Sequence, residues 1–128
     1  MADTIAVLLV DEDTDVLELT QTFLELEDDT ISVTTETSAR DALDRLESES
    51  FDCVVSDYSM PSMSGIEFLQ EVRDRVPGLP FFFFTGKDRE EVETEAGDIE
   101  ITGHVRKGTG TERYGELADE IRSAVERS

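Results

Sequence analysis

Cysteine and long apolar runs are scarce in this chain of 128 residues, and each shortage excludes a class of protein. Cys53 is the only cysteine, so the chain cannot form an internal disulfide, which fits a cytoplasmic location. Because no apolar stretch is long, we expect neither a membrane-spanning helix nor a signal peptide. Eleven basic residues stand against 32 acidic ones, and the formal charge of −21 argues against direct binding to nucleic acid.

Lysine is the scarcest charged residue, since only Lys87 and Lys107 occur beside nine arginines. An acid-rich, lysine-poor surface is similar to the surfaces of proteins from extremely halophilic organisms. Such a surface repels itself in dilute buffer and becomes more stable when salt screens its charges. We therefore predict that the fold of this chain depends on salt.

Apolar residues recur with regular spacing along the whole chain, which predicts one folded domain over residues 1–128 rather than a disordered acidic tail. Short apolar runs predict five strands, at about 5–10, 31–35, 51–57, 80–84 and 101–105. A segment with helical spacing follows each strand. The strict alternation of strand and helix predicts an α/β fold, with a parallel sheet covered by helices on both faces.

Three details of the helices follow from the same patterns. Ser38 and Thr111 are predicted to cap the second and fifth helices. The first helix, at about 15–27, is predicted to bury one apolar face formed by Val16, Leu19, Phe23 and Leu26. The fourth helix, at about 89–96, has only Val92 and Ala96 for its inner face, so we expect it to be mobile.

Polar side chains that can take part in binding or catalysis follow four of the predicted strands. Asp11 and Glu12 come after the first strand, Asp57 after the third, Thr85 after the fourth and Lys107 after the fifth. The carboxyl ends of parallel strands meet at one edge of the sheet, which is where open α/β sheets bind ligands. We therefore expect these side chains to lie close together.

Their chemistry suits phosphoryl transfer. Carboxylates that lie close together raise one another's pKa, and a hard divalent cation such as Mg²⁺ relieves that repulsion. Asp57 can then act as an anionic nucleophile that forms an acyl phosphate. The Thr85 hydroxyl and the Lys107 ammonium group are suited to hold the new phosphoryl oxygens.

The whole set resembles the motifs of CheY-like response-regulator receiver domains, along essentially the entire chain. The residues that carry the resemblance are Asp11-Glu12, Asp57 with Met60-Pro61 and Gly65, Thr85-Gly86, and Lys107. The resemblance implies a flavodoxin-like, doubly wound domain with strand order 2-1-3-4-5. It also implies a two-component signalling domain that is not an enzyme, apart from its own phosphorylation and dephosphorylation. Asp57 would accept a phosphoryl group from the phosphohistidine of a sensor histidine kinase or phosphotransfer domain.

The resemblance assigns the metal and the lifetime of the phosphorylated state to particular residues. Glu12 and Asp57 would bind Mg²⁺ directly, with help from Asp11 and from the backbone carbonyl of Ser59. Ser59 and Lys87 would tune how readily water attacks the acyl phosphate, and Lys87 would shield the phosphoryl group from in-line attack.

The resemblance also assigns the output. Thr85 would move toward the phosphoryl group, and His104 stands where the family has its switching aromatic residue. Their movement would change the surface formed by the fourth helix, the fifth strand and the fifth helix. The family usually has proline at the position of Gly108, so the loop after Lys107 is expected to differ. The run at 107–114 is similar to receiver domains attached to sensor kinases in extremely halophilic archaea.

Two other classes compete with the receiver domain. Asp11-Glu-Asp13 partly resembles the start of haloacid-dehalogenase-type phosphatases, in which the first aspartate is the nucleophile. That family usually has threonine or valine where this chain has Asp15, and the chain has no later acidic metal motif and no room for a cap domain. The second alternative is a receiver-shaped interaction module without chemistry, against which the intact set of polar residues argues.

Overall fold

The computed structural model describes residues 4–61, 63–108 and 111–127. Within them, the strands are β1 (Ile5–Val10), β2 (Ile31–Glu36), β3 (Cys53–Ser56), β4 (Phe81–Thr85) and β5 (Gly103–Arg106). The helices are α1 (Thr14–Glu27), α2 (Ala39–Ser48), α3 (Gly65–Arg75), α4 (Arg89–Ala96) and α5 (Glu112–Arg127). All five strands pair in parallel in the order β2-β1-β3-β4-β5. The predicted doubly wound, flavodoxin-like architecture is therefore confirmed.

The sheet is buried on both faces because its central strands are apolar on both sides. One face packs against α1 and α5, and the other packs against α2, α3 and α4. The phenylalanines of β4 divide between the two cores, with Phe82 and Phe84 facing α1 and α5 and with Phe81 and Phe83 on the opposite side. Side chains alternate along a strand, so a run of four aromatic residues fills both layers.

Polar caps define the starts of several helices. The predicted cap Ser38 accepts a hydrogen bond from the backbone N–H of Asp41 at 3.0 Å, and Ser64 forms a capping box with Glu67 at the start of α3. β3 begins two residues later than the prediction, and β5 is displaced toward Arg106. Phe51 and Ile101 pack against the core just before these strands begin. Their side chains are apolar because they are partly buried, although their backbones do not pair in the sheet.

The predicted inner face of α1 is wrong in two of its four residues. Leu19 and Leu26 are 51% and 73% exposed, whereas Leu17, Thr20 and Leu24 are buried. Apolar residues occur on more than one side of this leucine-rich helix, so spacing alone does not select the face that docks. The packing selects it, and the ring of Phe23 stacks on Tyr114 of α5 with 4.9 Å between centroids.

Side chains of α1 also complete the edge strand β2. The amide group of Gln21 donates to the carbonyl oxygen of Val33 at 3.0 Å, and the carboxylate of Glu25 accepts from the Val33 N–H at 2.9 Å. An unpaired strand edge can template association with another strand. These two contacts occupy both backbone groups of Val33, so α1 covers this part of the edge.

Candidate functional site

The carboxyl ends of β1 and β3 bring two aspartates side by side. The Asp57 N–H donates to the carbonyl oxygen of Val10 at 3.0 Å, which aligns Asp57 with Asp11 on the neighbouring strand. Asp11 is 3% exposed, and the side chain of Asp57 is 15% exposed. Both carboxylates are thus largely removed from water at the edge where the sequence placed them.

Lys107 lies between these two carboxylates. Its Nζ donates to Asp11 Oδ2 at 2.7 Å and lies 3.6 Å from Asp57 Oδ1. The Lys107 N–H donates to the carbonyl oxygen of Thr85 at 2.8 Å, so the pairing of β5 with β4 fixes the base of this side chain. One cation therefore partly neutralises two buried acids.

The pKa of Asp57 is raised above its ordinary value, chiefly because burial penalises the charged carboxylate. The negative charge of Asp11 acts in the same direction. The Lys107 ammonium group and the Tyr58 N–H, which donates to Asp57 Oδ1 at 2.8 Å, act in the opposite direction. Asp57 is thus a carboxylate held in a costly environment, and an added cation would stabilise its charged form.

Asp57 opens into a groove of about 450 Å³, which is a sufficient size for a small anionic group. Its other lining residues include Ser59, Thr85, Gly86, Lys87, Asp88, Glu91 and Arg106. Thr85 is buried, and its hydroxyl oxygen accepts from the Lys87 N–H at 3.3 Å. That contact leaves the Thr85 hydroxyl proton available for a ligand in the groove.

The structure places Lys87 and His104 beside each other at the groove's outer side. Lys87 is exposed, and its Nζ lies 3.8 Å from Glu91 and 5.7 Å from the centroid of the Tyr58 ring. The half-buried His104 donates through Nε2 to the carbonyl oxygen of Lys87 at 2.9 Å. His104 is therefore bonded to the β4–α4 loop, next to Thr85.

The expected metal ligands are only partly gathered. Asp11 and Asp57 are close, but Glu12 is exposed, and no group of three or more histidine, cysteine or acidic side chains in the described residues is arranged to hold a metal. The available donors are carboxylate oxygens and the backbone carbonyl of the exposed residue Ser59, which are the hard ligands that Mg²⁺ prefers. The donor chemistry therefore fits Mg²⁺, with water completing its coordination.

The side chain of Arg113 packs close to Gly108. The Lys107–Gly108 peptide bond is trans, and a Cβ atom on Gly108 would lie 3.0 Å from Nε of Arg113. The Arg113 guanidinium group therefore occupies the space beside Gly108. Thr109 and Gly110, which belong to the run that resembles archaeal receiver domains, lie outside the described residues.

Sequence reasoning missed Tyr58, which follows Asp57 directly. Tyr58 is 6% exposed, its hydroxyl donates to the carboxylate of Glu95 on α4, and its ring meets Phe83 edge to face with 5.6 Å between centroids. The sequence shows Tyr58 only as the first residue of a turn-rich loop. Its partner lies 37 positions away, and no local pattern predicts such a pair.

Comparison with known proteins identifies the family. The family model described as response regulator receiver domain matches residues 7–119, so the chain belongs to the receiver domains of response regulators. The response regulator SaeR of Staphylococcus aureus strain USA300 is 31% identical over 100 residues, covering 78% of this chain and 42% of that protein. SaeR of Staphylococcus epidermidis is 30% identical over the same length. The chain thus spans less than half the length of these relatives.

Solved structures share the fold across nearly the whole chain. The CheY-like receiver domain protein of Methanospirillum hungatei JF-1 superposes with a TM-score of 0.84 at 24% identity, covering 98% of this chain and 96% of that one. The chemotaxis response regulator CheY4 of Vibrio cholerae superposes with a TM-score of 0.80 at 26% identity, covering 92% and 98%. None of the helices in the described residues is long and apolar enough to cross a membrane.

Proposed function

We propose that this receiver domain accepts a phosphoryl group on Asp57, in a Mg²⁺-dependent reaction, from the phosphohistidine of a sensor histidine kinase or phosphotransfer domain. The observation that supports this proposal is the position of Asp57. Its carboxylate lines the groove and lies 3.6 Å from the Lys107 ammonium group. We further propose that this reaction takes place in the cytoplasm.

The transfer conserves atoms and charge. A carboxylate oxygen of Asp57 forms a bond to phosphorus while the bond between phosphorus and the histidine nitrogen breaks, and that nitrogen keeps the electron pair. Negative charge spreads over the phosphoryl oxygens during transfer. Lys107 can neutralise part of this charge, and the Thr85 hydroxyl can donate a hydrogen bond to one of the oxygens.

Asp11, Glu12, Asp57 and the carbonyl oxygen of Ser59 would hold Mg²⁺. When bound, the ion supplies positive charge next to the transferring phosphoryl group. The contribution of the chain is to hold two carboxylates side by side next to one cation, since Lys107 Nζ donates to Asp11 Oδ2 at 2.7 Å and lies 3.6 Å from Asp57 Oδ1.

The phosphatase alternative requires Asp11 to be the nucleophile. Asp11 is more deeply buried than Asp57, one of its oxygens accepts from Lys107, and the other accepts from the Asp13 N–H at 3.0 Å. A carboxylate with both oxygens engaged is a poor nucleophile. These contacts favour Asp57.

We also propose that phosphorylation changes the surface formed by α4, β5 and α5. Thr85 would shift toward the phosphoryl oxygens, and the rotamer of His104 would change with it. The hydrogen bond from His104 to the Lys87 carbonyl oxygen supports this coupling between Thr85 and His104, because it joins β5 to the loop that follows Thr85. The size of the response depends on how differently the two arrangements bind the phosphoryl group.

The test is to incubate the protein with Mg²⁺ and a small phosphodonor and to locate the added group by mass spectrometry. We expect one phosphoryl group on Asp57, no labelling of Asp57→Asn, and loss of labelling when the metal is chelated. Asp52→Asn is the matched control, because Asp52 is an exposed aspartate on the same segment. Labelling of Asp11, or equal labelling of Asp57→Asn and the native protein, would reject the proposal.

A further inference from the structure

Helix α4 has an unusually small apolar anchor. Of its eight residues, only Val92 and Ala96 are buried, and the rest of its sequence is charged or polar. A helix with so little buried apolar area depends strongly on polar contacts for its position. The position of α4 is therefore set largely by its polar contacts.

Polar contacts connect the region of α4 to the rest of the domain. At its start, Arg106 of β5 pairs with Asp88 at 2.7 Å, and His104 bonds to the Lys87 carbonyl oxygen. Toward its end, Glu95 accepts from the Tyr58 hydroxyl. The Arg106–Asp88 pair is exposed and screened by solvent, whereas the bond to Glu95 joins an exposed glutamate to a buried tyrosine.

Tyr58 is also fixed firmly on the side of the phosphoacceptor. Its N–H donates to Asp57, and its carbonyl oxygen accepts from the Gly65 N–H at 2.7 Å. Its ring packs against Phe83 of β4. The tyrosine is therefore held in place when α4 moves, and a displacement larger than the Glu95 side chain can span breaks the hydrogen bond to Glu95.

The charges around Tyr58 indicate which state keeps this bond. Lys87 lies over the Tyr58 ring and near Glu91, where it offsets the negative charge of α4. Lys87 and Glu91 both line the groove that holds Asp57. A phosphoryl group on Asp57 would attract Lys87 and repel Glu91 and Glu95, so added charge in the groove favours displacement of α4.

We propose that Tyr58 is a positioning residue that ties α4 to the phosphoacceptor loop, the segment between β3 and α3 that begins with Asp57, in the unphosphorylated state. Phosphorylation then releases the helix by breaking the Tyr58–Glu95 bond. This inference rests on the proposed function of Asp57. It adds a direct route to α4, through the residue next to the phosphoacceptor, beside the route through Thr85 and His104.

The first test is amide hydrogen exchange of unphosphorylated protein in high salt, comparing Tyr58→Phe, Glu95→Ala and the double variant. Tyr58→Phe removes only a hydroxyl group, so the ring packing remains. We expect exchange in α4 to accelerate roughly fivefold or more in each single variant and no further in the double variant. Glu93→Ala is the matched control, since Glu93 pairs with Arg89 on the exposed side of the same helix. The control should exchange like the native protein.

The second test measures binding of beryllofluoride, a phosphoryl mimic, in the presence of Mg²⁺. If the Tyr58–Glu95 bond opposes the phosphorylated arrangement, Tyr58→Phe and Glu95→Ala should bind the mimic more tightly. The affinity should rise by roughly the factor by which α4 exchange accelerates, because release of α4 and binding of the mimic are linked equilibria. A purely structural role would leave this affinity unchanged or weaken it.

Unchanged α4 exchange in Tyr58→Phe, additive effects in the double variant, or unchanged or weaker binding of the mimic would each overturn the inference. The exchange measurement needs no phosphodonor. Accelerated exchange in a protein that is never labelled on Asp57 would therefore reject the proposed function while confirming the physical tie.

Discussion

Replacement of Gly65 by alanine should damage both the fold and the site, because Gly65 is where α3 meets the phosphoacceptor loop. A Cβ atom at this position would lie 2.8 Å from both Cα and the carbonyl oxygen of Tyr58, and 2.7 Å from the Phe83 ring. Two of these three neighbours are backbone atoms that cannot rotate away. The loop must therefore shift, and Tyr58 shifts with it.

The loss of stability in Gly65→Ala follows from two opposing free-energy terms. Overpacking of a tight site costs roughly 1–3 kcal/mol. Alanine is favoured over glycine within a helix by about 1 kcal/mol, but this gain is smaller at the first helical residue. A net loss of about 2 kcal/mol is expected. With an unfolding entropy of about 2.1 cal/mol/K per residue, this loss corresponds to a decrease in Tm of about 7 °C for a chain of this length.

The assay is thermal unfolding in high salt, followed by the rate of Mg²⁺-dependent labelling of Asp57. The matched control is Gly78→Ala, because a Cβ atom on Gly78 would have no neighbour within 4 Å and its φ is not in the left-handed region. We expect that control to keep its Tm or to gain slightly, and to label at the native rate. If Gly65→Ala melted and reacted like Gly78→Ala, the steric reasoning would be refuted.

Three further predictions follow from charge. With a formal charge of −21, the Tm should increase clearly as KCl rises, and a flat response would remove the argument for a halophilic protein. Hydrogen bonds from Thr30 and Arg122 lower the pKa of Asp28 from 3.8 to about 2. The stability that ionised Asp28 contributes to the fold is therefore fully present above about pH 4 and is lost as the pH falls toward 2. After allowance for solvent screening, Asp28→Asn should lower the free energy of unfolding by about 1 kcal/mol at pH 7 and by almost nothing at pH 2. Urea titration at the two pH values measures this difference, and a loss that does not depend on pH would contradict the reasoning. Lys87→Ala should change the rate at which phosphorylated Asp57 hydrolyses without preventing its formation, and equal decay of the two proteins would exclude shielding by Lys87.

The strand and helix pattern could be predicted because it is encoded locally. Residues 81–84 are a continuous apolar run because both faces of β4 are buried, and Ser38 marks the start of α2 because its hydroxyl caps the helix. The gathering of Asp11, Asp57 and Lys107 could also be predicted, since the rules for parallel sheets bring strand ends to one edge. Their possible roles followed from the chemistry of those side chains.

What the amino-acid sequence determined by itself is therefore the succession of elements, the sheet they form and the edge that carries the polar residues. Only the tertiary structure decided that α1 buries Leu17 and Leu24 rather than Leu19 and Leu26. It also decided that Lys107 lies nearer to Asp11 than to Asp57, and that Tyr58 reaches Glu95. Periodicity reports which residues avoid water, whereas these contacts depend on how elements distant in the chain are rotated and spaced against one another.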